Sequence, residues 1–149
     1  MYFFYTIAPL LASLFLLGLG LFIFISGLRV EKAYYKIVFA AGCICCFFWL
    51  FSTSIVCTIQ NITIILLFFK IGLMGAIFTA MTFHHFIVLL LNRRERLFVI
   101  LTYLIGIIFT VLLWIPNGLI EGFYKYSWGY YPDFTRLNLL SILVFAYYL

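Results

Sequence analysis

The segment FHHFIVLLLNRRER, Phe83 to Arg96, decides how the whole chain is read. Two adjacent histidines sit in an apolar run that stops abruptly at Arg93, Arg94 and Arg96, with Glu95 among them. Such a run fits an active site, a metal site or the end of a membrane span, and the surrounding composition chooses among the three. The chain is 68% hydrophobic and 9% charged, with a mean hydropathy of +1.27, whereas a soluble domain carries about a quarter charged residues. Its apolar residues come in blocks longer than the roughly 20 that cross a bilayer core of about 30 Å. The length of 149 residues suits one domain. That domain is expected to be all-α: a polytopic integral membrane helix bundle whose principal partner is the lipid bilayer.

Working outward from Phe83–Arg96, four complete helices and part of a fifth are expected, over about residues 2–28, 37–59, 62–91, 97–115 and 137–149. The first block has no basic start and no Ala-x-Ala site after it, so it reads as a retained helix and not as a cleaved leader. The second meets the third at Gln60-Asn61, which leaves room only for a short turn. The fourth closes on Pro116-Asn117-Gly118, a turn signature. The stretch that follows, NGLIEGFYKYSWGYYPDFTR, reads as an irregular, amphipathic loop whose aromatic rings suit the headgroup layer. The last block, Leu137 to Leu149, is too short to span the bilayer core. It reads as a half-inserted segment or, the expectation that its length favours, as the cut end of a fragment of a longer polytopic protein.

The net charge of +5 comes from basic residues at the ends of apolar blocks. Arg29, Lys32 and Lys36 lie in the first connection, none in the second, Arg93, Arg94 and Arg96 in the third, and Lys125 and Arg136 in the long fourth. No basic, aromatic-interleaved surface of the kind that binds nucleic acid is formed. These residues read as topology signals, and the positive-inside rule places the first and third connections in the cytoplasm. The N-terminus and the aromatic loop then lie outside.

Cys43, Cys45, Cys46, Cys57, His84 and His85 are the available metal ligands. They have neither a second C-x-x-C nor an H-x-x-x-H spacing, and cysteine in an apolar helix packs as a small hydrophobe. No metal and no cofactor are expected. No Ser, Cys or Thr stands in a catalytic motif, and no carboxylate lies within an apolar block to orient a histidine, so the chain reads as non-enzymatic. Polar residues at membrane depth are costly and mark candidate functional positions. On a helix, Lys70, Ile77 and His84 fall along one stripe, which is expected to face a cavity and makes Lys70 and His84 candidate ligand-binding residues. Lys70 also reads as a snorkelling residue near the outer boundary, and His85, off that stripe, as structural. Gly72, Gly75, Ala76, Thr79 and Phe83 occupy the opposite side, where small residues let helix backbones approach.

Taken together, Phe69-Lys70-Ile71, His85-Phe86, the Arg93-Arg94-Glu95-Arg96 turn and Trp128-Gly129-Tyr130-Tyr131-Pro132 resemble the N-terminal seven-helix membrane region of bacterial sensor histidine kinases, which also precedes diguanylate cyclase and PAS modules. The resemblance covers the whole chain as four helices and the start of a fifth. It implies a sensory input role, residence in the inner (cytoplasmic) membrane, and dimerisation through an output region carried by a full-length protein. It adds Trp128, Tyr130 and Tyr131 as candidate ligand-binding residues and matches Lys70 to a position where the family often has arginine. Asp133-Phe134-Thr135-Arg136 stand where the family has a glycine. The sequence leaves two other readings open, a fragment of a small-solute transporter and a non-enzymatic membrane assembly protein. It names neither stimulus nor ligand. Broken helices repeated in two halves would mark the transporter, and within the first four blocks only Pro9 precedes the terminal Pro116.

Overall fold

The computed structural model describes residues 3–30, 33–116, 118–126 and 129–134. It is an all-α bundle of four long apolar helices with one small hairpin added after the fourth. A π-helical turn, Phe3–Ile7, leads into α1 (Ala8–Leu28), followed by α2 (Tyr34–Val56), α3 (Ile62–Leu90) and α4 (Arg96–Trp114). All four are long and apolar enough to cross a membrane. The second helix begins three residues before the expected start at 37 and ends three before 59. The expected fifth helix, 137–149, lies outside the described residues, as does Lys32.

Each helix packs antiparallel on its neighbour in sequence, because the connections are too short for any other order. The turns are built locally. Asn61 caps α3, its Oδ1 accepting from the backbone N–H of Thr63 at 3.0 Å and of Ile64 at 3.4 Å. Asn92, at φ 50°, takes the left-handed conformation that ends α3, and the N–H of Arg93 reaches back to the carbonyl of Val88 at 3.0 Å. Asparagine tolerates that conformation better than most residues.

Packing follows the small residues. A Cβ on Gly75 would lie 2.6 Å from the carbonyl oxygen of Cys45 and 2.9 Å from the nitrogen of Trp49, and one on Gly72 would lie 2.9 Å from the Ser52 Cβ. Farther along the same seam Thr79 meets Cys46, and a Cβ on Gly42 would sit 3.1 Å from the Thr82 hydroxyl. Phe39 packs on Phe86. The first helix uses the same device against α2 at Gly20, beside Ala40 and Cys43, and at Gly27, beside Lys36 and Ile37. Lipid tails are as apolar as leucine, so helices in a bilayer associate through such close van der Waals contact. Large apolar side chains instead point outward, as Phe15, Phe22, Leu97 and Ile108 do.

The stretch after α4 departs from the irregular loop expected there. It forms an antiparallel hairpin, β1 (Ile120–Tyr126) and β2 (Gly129–Phe134), paired from Ile120↔Phe134 to Tyr126↔Gly129 with a bulge between Ile120 and Gly122. Its run of Phe and Tyr has high strand propensity. Tertiary contact fixes it in place, because Leu119 and Ile120 bury themselves with Leu113 of α4 against Leu66, Leu73 and Met74 of α3. Pro132 is tolerated because a two-stranded ribbon has a free edge.

The Gly75 contact is directly testable. Gly75→Ala is expected to destabilise the bundle in detergent by about 1–3 kcal/mol, the range for overpacking a close contact. Gly18→Ala, where nothing lies within 4 Å of the added Cβ, is expected to leave the thermal unfolding followed by circular dichroism unchanged.

Candidate functional site

The face of α3 that meets α4 carries Lys70, Met74, Ile77, Met81 and His85. The Lys70 Nζ sits 5.5 Å from the centre of the Trp114 ring, and the Trp114 Nε1–H donates to the Met74 sulfur at 3.1 Å. Met81 and Ile77 fill the space left by Gly106, and the His85 Nδ1 lies 3.3 Å from the Tyr103 hydroxyl. The stripe containing Lys70 and Ile77 therefore faces a helix, not the cavity expected of it. His85, expected off the stripe, belongs to this face because a straight helix drifts past a seven-residue repeat. Lys70 is level with Trp114, the last residue of α4. Here the ammonium has an aromatic face beside it at the helix end.

Lys70 and His84 are fourteen residues apart, about 21 Å along the axis of α3, and no single small ligand contacts both side chains there without spanning that length. Trp128 lies outside the described residues. Tyr130 and Tyr131 are different, since both belong to β2 and help line a cavity of about 360 Å³ between the hairpin, α2 and α3. Its walls also include Trp49, Ser52, Phe69 and Phe134. Sequence reasoning missed Trp49, Ser52 and Phe69 as site residues, for the first two stand in no motif and Phe69 enters only beside Lys70. They come together because α2 and α3 run antiparallel with Ser52 against Gly72, which brings the end of α2 to the start of α3.

The hairpin forms the lid of this cavity and is held by its own contacts. The Phe123 ring meets Phe69 of α3 at 6.0 Å, edge to face, and Tyr131 stacks edgewise on Phe134. On the exposed side the Asp133 carboxylate accepts from the Tyr124 hydroxyl, which holds that phenol's proton above its ordinary pKa. Lys125 lies 5.9 Å from the centre of the Tyr130 ring. A second, smaller cavity of about 200 Å³ lies among α1, α2 and α3 near Cys43, Cys46, Thr79 and Thr82. Among the described residues no three His, Cys, Asp or Glu side chains gather as a metal site would require.

Four long apolar helices in sequential antiparallel contact, capped at one end by an aromatic hairpin, make this a multi-pass membrane protein. No protein-family model, no curated protein and no solved structure matches the chain.

The cavity carries its own reporter in Cys57, which follows α2 and lies in the wall. Burial pushes its thiol pKa above the ordinary value, so the reactive thiolate forms only at higher pH. Alkylation of Cys57, followed by peptide mass spectrometry, is expected to be slower at pH 7 than for an exposed cysteine. It should rise about tenfold per pH unit through the range where a normal thiol has already levelled off.

Proposed function

We propose that the chain is the membrane input region of a bacterial sensor, the N-terminal part of a seven-helix unit that passes a signal to a cytoplasmic histidine kinase or diguanylate cyclase module. The observation that carries this reading is the placement of the 360 Å³ cavity, with the hairpin on one side and the closely packed α2–α3 pair on the other. A molecule in that space touches an extramembrane element and two transmembrane helices at once. Occupancy favours whichever relative arrangement of hairpin and helices fits the molecule better, and the equilibrium moves by its differential affinity for the two arrangements. The α2–α3 seam suits transmission because a pair packed backbone to backbone moves as a unit. The similarity of Trp128 to Pro132, His85-Phe86 and the Arg93–Arg96 turn to the sensor region supports the same reading.

In this reading the chain is itself non-catalytic and resides in the inner membrane. The N-terminus and hairpin lie outside, and the turns at Arg29 and at Arg93, Arg94 and Arg96 lie in the cytoplasm. The exposed Arg93 guanidinium pairs with Glu95 at 3.2 Å, a surface contact that leaves the connection basic.

Two measurements test this. Alkaline phosphatase fused after Gln60 is expected to be active and green fluorescent protein fused after Arg94 to fluoresce, and the reverse pattern would sink the topology that the sensory reading needs. Sequencing the locus past the codon for Leu149 is expected to show a frame running into further helices and an output module. A stop codon at that point, with the short product recovered from membranes, would exclude the sensory role for this chain.

A further inference from the structure

Hydroxyl groups inside the bundle satisfy themselves in one recurrent way. Thr53 donates to the carbonyl of Trp49 at 2.9 Å, and Thr79 to Gly75, Thr82 to Phe78 and Thr102 to Phe98, each at 2.8 Å. Each is a bond to the backbone one turn earlier, the economical solution for a hydroxyl on a membrane helix. Ser54 uses another carbonyl, that of Thr6, at 2.7 Å. Ser52 does neither. Its side chain is 2% exposed and its hydroxyl has no hydrogen-bond partner among the described residues. The hydroxyls of Thr6 and Thr110 share that lack, but neither residue lines the cavity beneath the hairpin, whereas Ser52 does.

The surroundings of Ser52 define what would complement it. Gly72 lies in the same wall and packs directly on Ser52, since a Cβ at that position would lie 2.9 Å from the serine Cβ and 3.5 Å from Oγ. The serine side chain has only χ1 to set, so its hydroxyl reorients without backbone movement. The rest of the wall is mainly aromatic, from Trp49, Phe69, Tyr130, Tyr131 and Phe134. Among the described residues no Asp, Glu, Lys, Arg or His contributes to it. A charged ligand would lose its hydration there without a counter-charge. A pure hydrocarbon would leave the hydroxyl unpaired. Trp49 and Tyr131 are each 46% exposed, so part of the cavity wall is accessible from outside the bundle. Its volume falls within the range of small-molecule sites.

We propose that this cavity binds a small, neutral, mainly apolar molecule bearing one hydroxyl or carbonyl group, which hydrogen-bonds to Ser52 while its body lies against the aromatic wall. The proposal deepens the sensory reading by naming the class of ligand, and it rests on that reading only for what binding accomplishes.

Three ten-carbon probes separate the alternatives on the purified full chain in nanodiscs: 1-decanol, decane and the permanently charged decyl sulfate. Protection of Cys57 from N-ethylmaleimide, quantified by mass spectrometry at pH 8, reports occupancy. Decanol is expected to protect in a saturable manner, and decane and decyl sulfate at least about tenfold less effectively, the difference one good polar contact makes. Ser52→Ala keeps the Cβ that packs on Gly72, and is expected to raise the half-protecting decanol concentration about three- to tenfold. The idea is overturned by absence of decanol protection, by decane equalling decanol, or by tighter binding of decyl sulfate. Equal decanol affinity in a folded Ser52→Ala chain overturns it as well. If that variant fails to fold by circular dichroism, the three-probe comparison on the unaltered chain still decides. Failure of decanol binding removes the site and leaves the sensory topology standing. Binding in a chain whose locus encodes no output module keeps the site and removes the sensory role.

Discussion

The structure depends on one contact, the approach of α3 to the backbone of α2 at Gly72 and Gly75. At Gly75 even a methyl group would overlap the Cys45 carbonyl and the Trp49 nitrogen. In water, a contact of this kind would be a detail beside the burial of large apolar side chains. In lipid the hierarchy reverses, because leucine against leucine gains little over leucine against an acyl chain. Dispersion between closely fitted backbones is what remains, and only residues with no or little side chain permit it. The same reasoning accounts for Gly20 and Gly27 between α1 and α2, and for Gly106, which receives Met81 between α3 and α4.

Once α2 and α3 are fixed, the positions of their ends follow. The start of α3 comes beside the end of α2, and Lys70 comes level with Trp114 at the end of α4. The first turns of α3 therefore project past α4. An apolar helix end in that position needs a cover, and the hairpin provides it through Leu119, Ile120 and Phe123. Where the cover does not reach α2 closely, the cavity remains. Its polarity is set by the same economy of hydrogen bonds that governs the rest of the bundle. A backbone N–H or carbonyl without a partner is too costly in hydrocarbon, and most side-chain hydroxyls borrow a neighbouring carbonyl. Ser52, wedged against Gly72, keeps an unpartnered hydroxyl in the cavity wall and gives it a polar point.

The α4-facing side of α3 illustrates a different balance. Lys70, Met74, Met81 and His85 are long, adaptable or polar side chains, and on α4 they meet a ring face, an indole N–H, a glycine and a phenol respectively. This seam has less of the small-residue contact that joins α2 to α3, and α4 turns Leu97, Ile100, Ile107 and Ile108 outward. The two seams divide the bundle into a tightly joined α1–α2–α3 core and a fourth helix held more by specific side chains.

The sequence by itself determined the solvent, the presence of four long apolar helices, their approximate ends and the small-residue face of α3. Each of these is a local property, since apolar runs, charged stops and residue size are read one segment at a time. The hairpin was not legible, because strand pairing depends on a partner segment. The sequence between the two strands, Ser127-Trp128, carries none of the Asn-Gly or Gly-rich signals that announce a hairpin, and aromatic residues suit a headgroup loop equally well. The partner of the Lys70 stripe was not legible either, since the period of a helix gives a face but not what that face meets. Tyr130 and Tyr131 were singled out as candidates, but their meeting with Trp49, Ser52 and Phe69 was decided only by tertiary structure. Those residues lie about sixty to eighty positions from the two tyrosines in the chain, and the antiparallel register that joins them is set by where two glycines allow two backbones to touch.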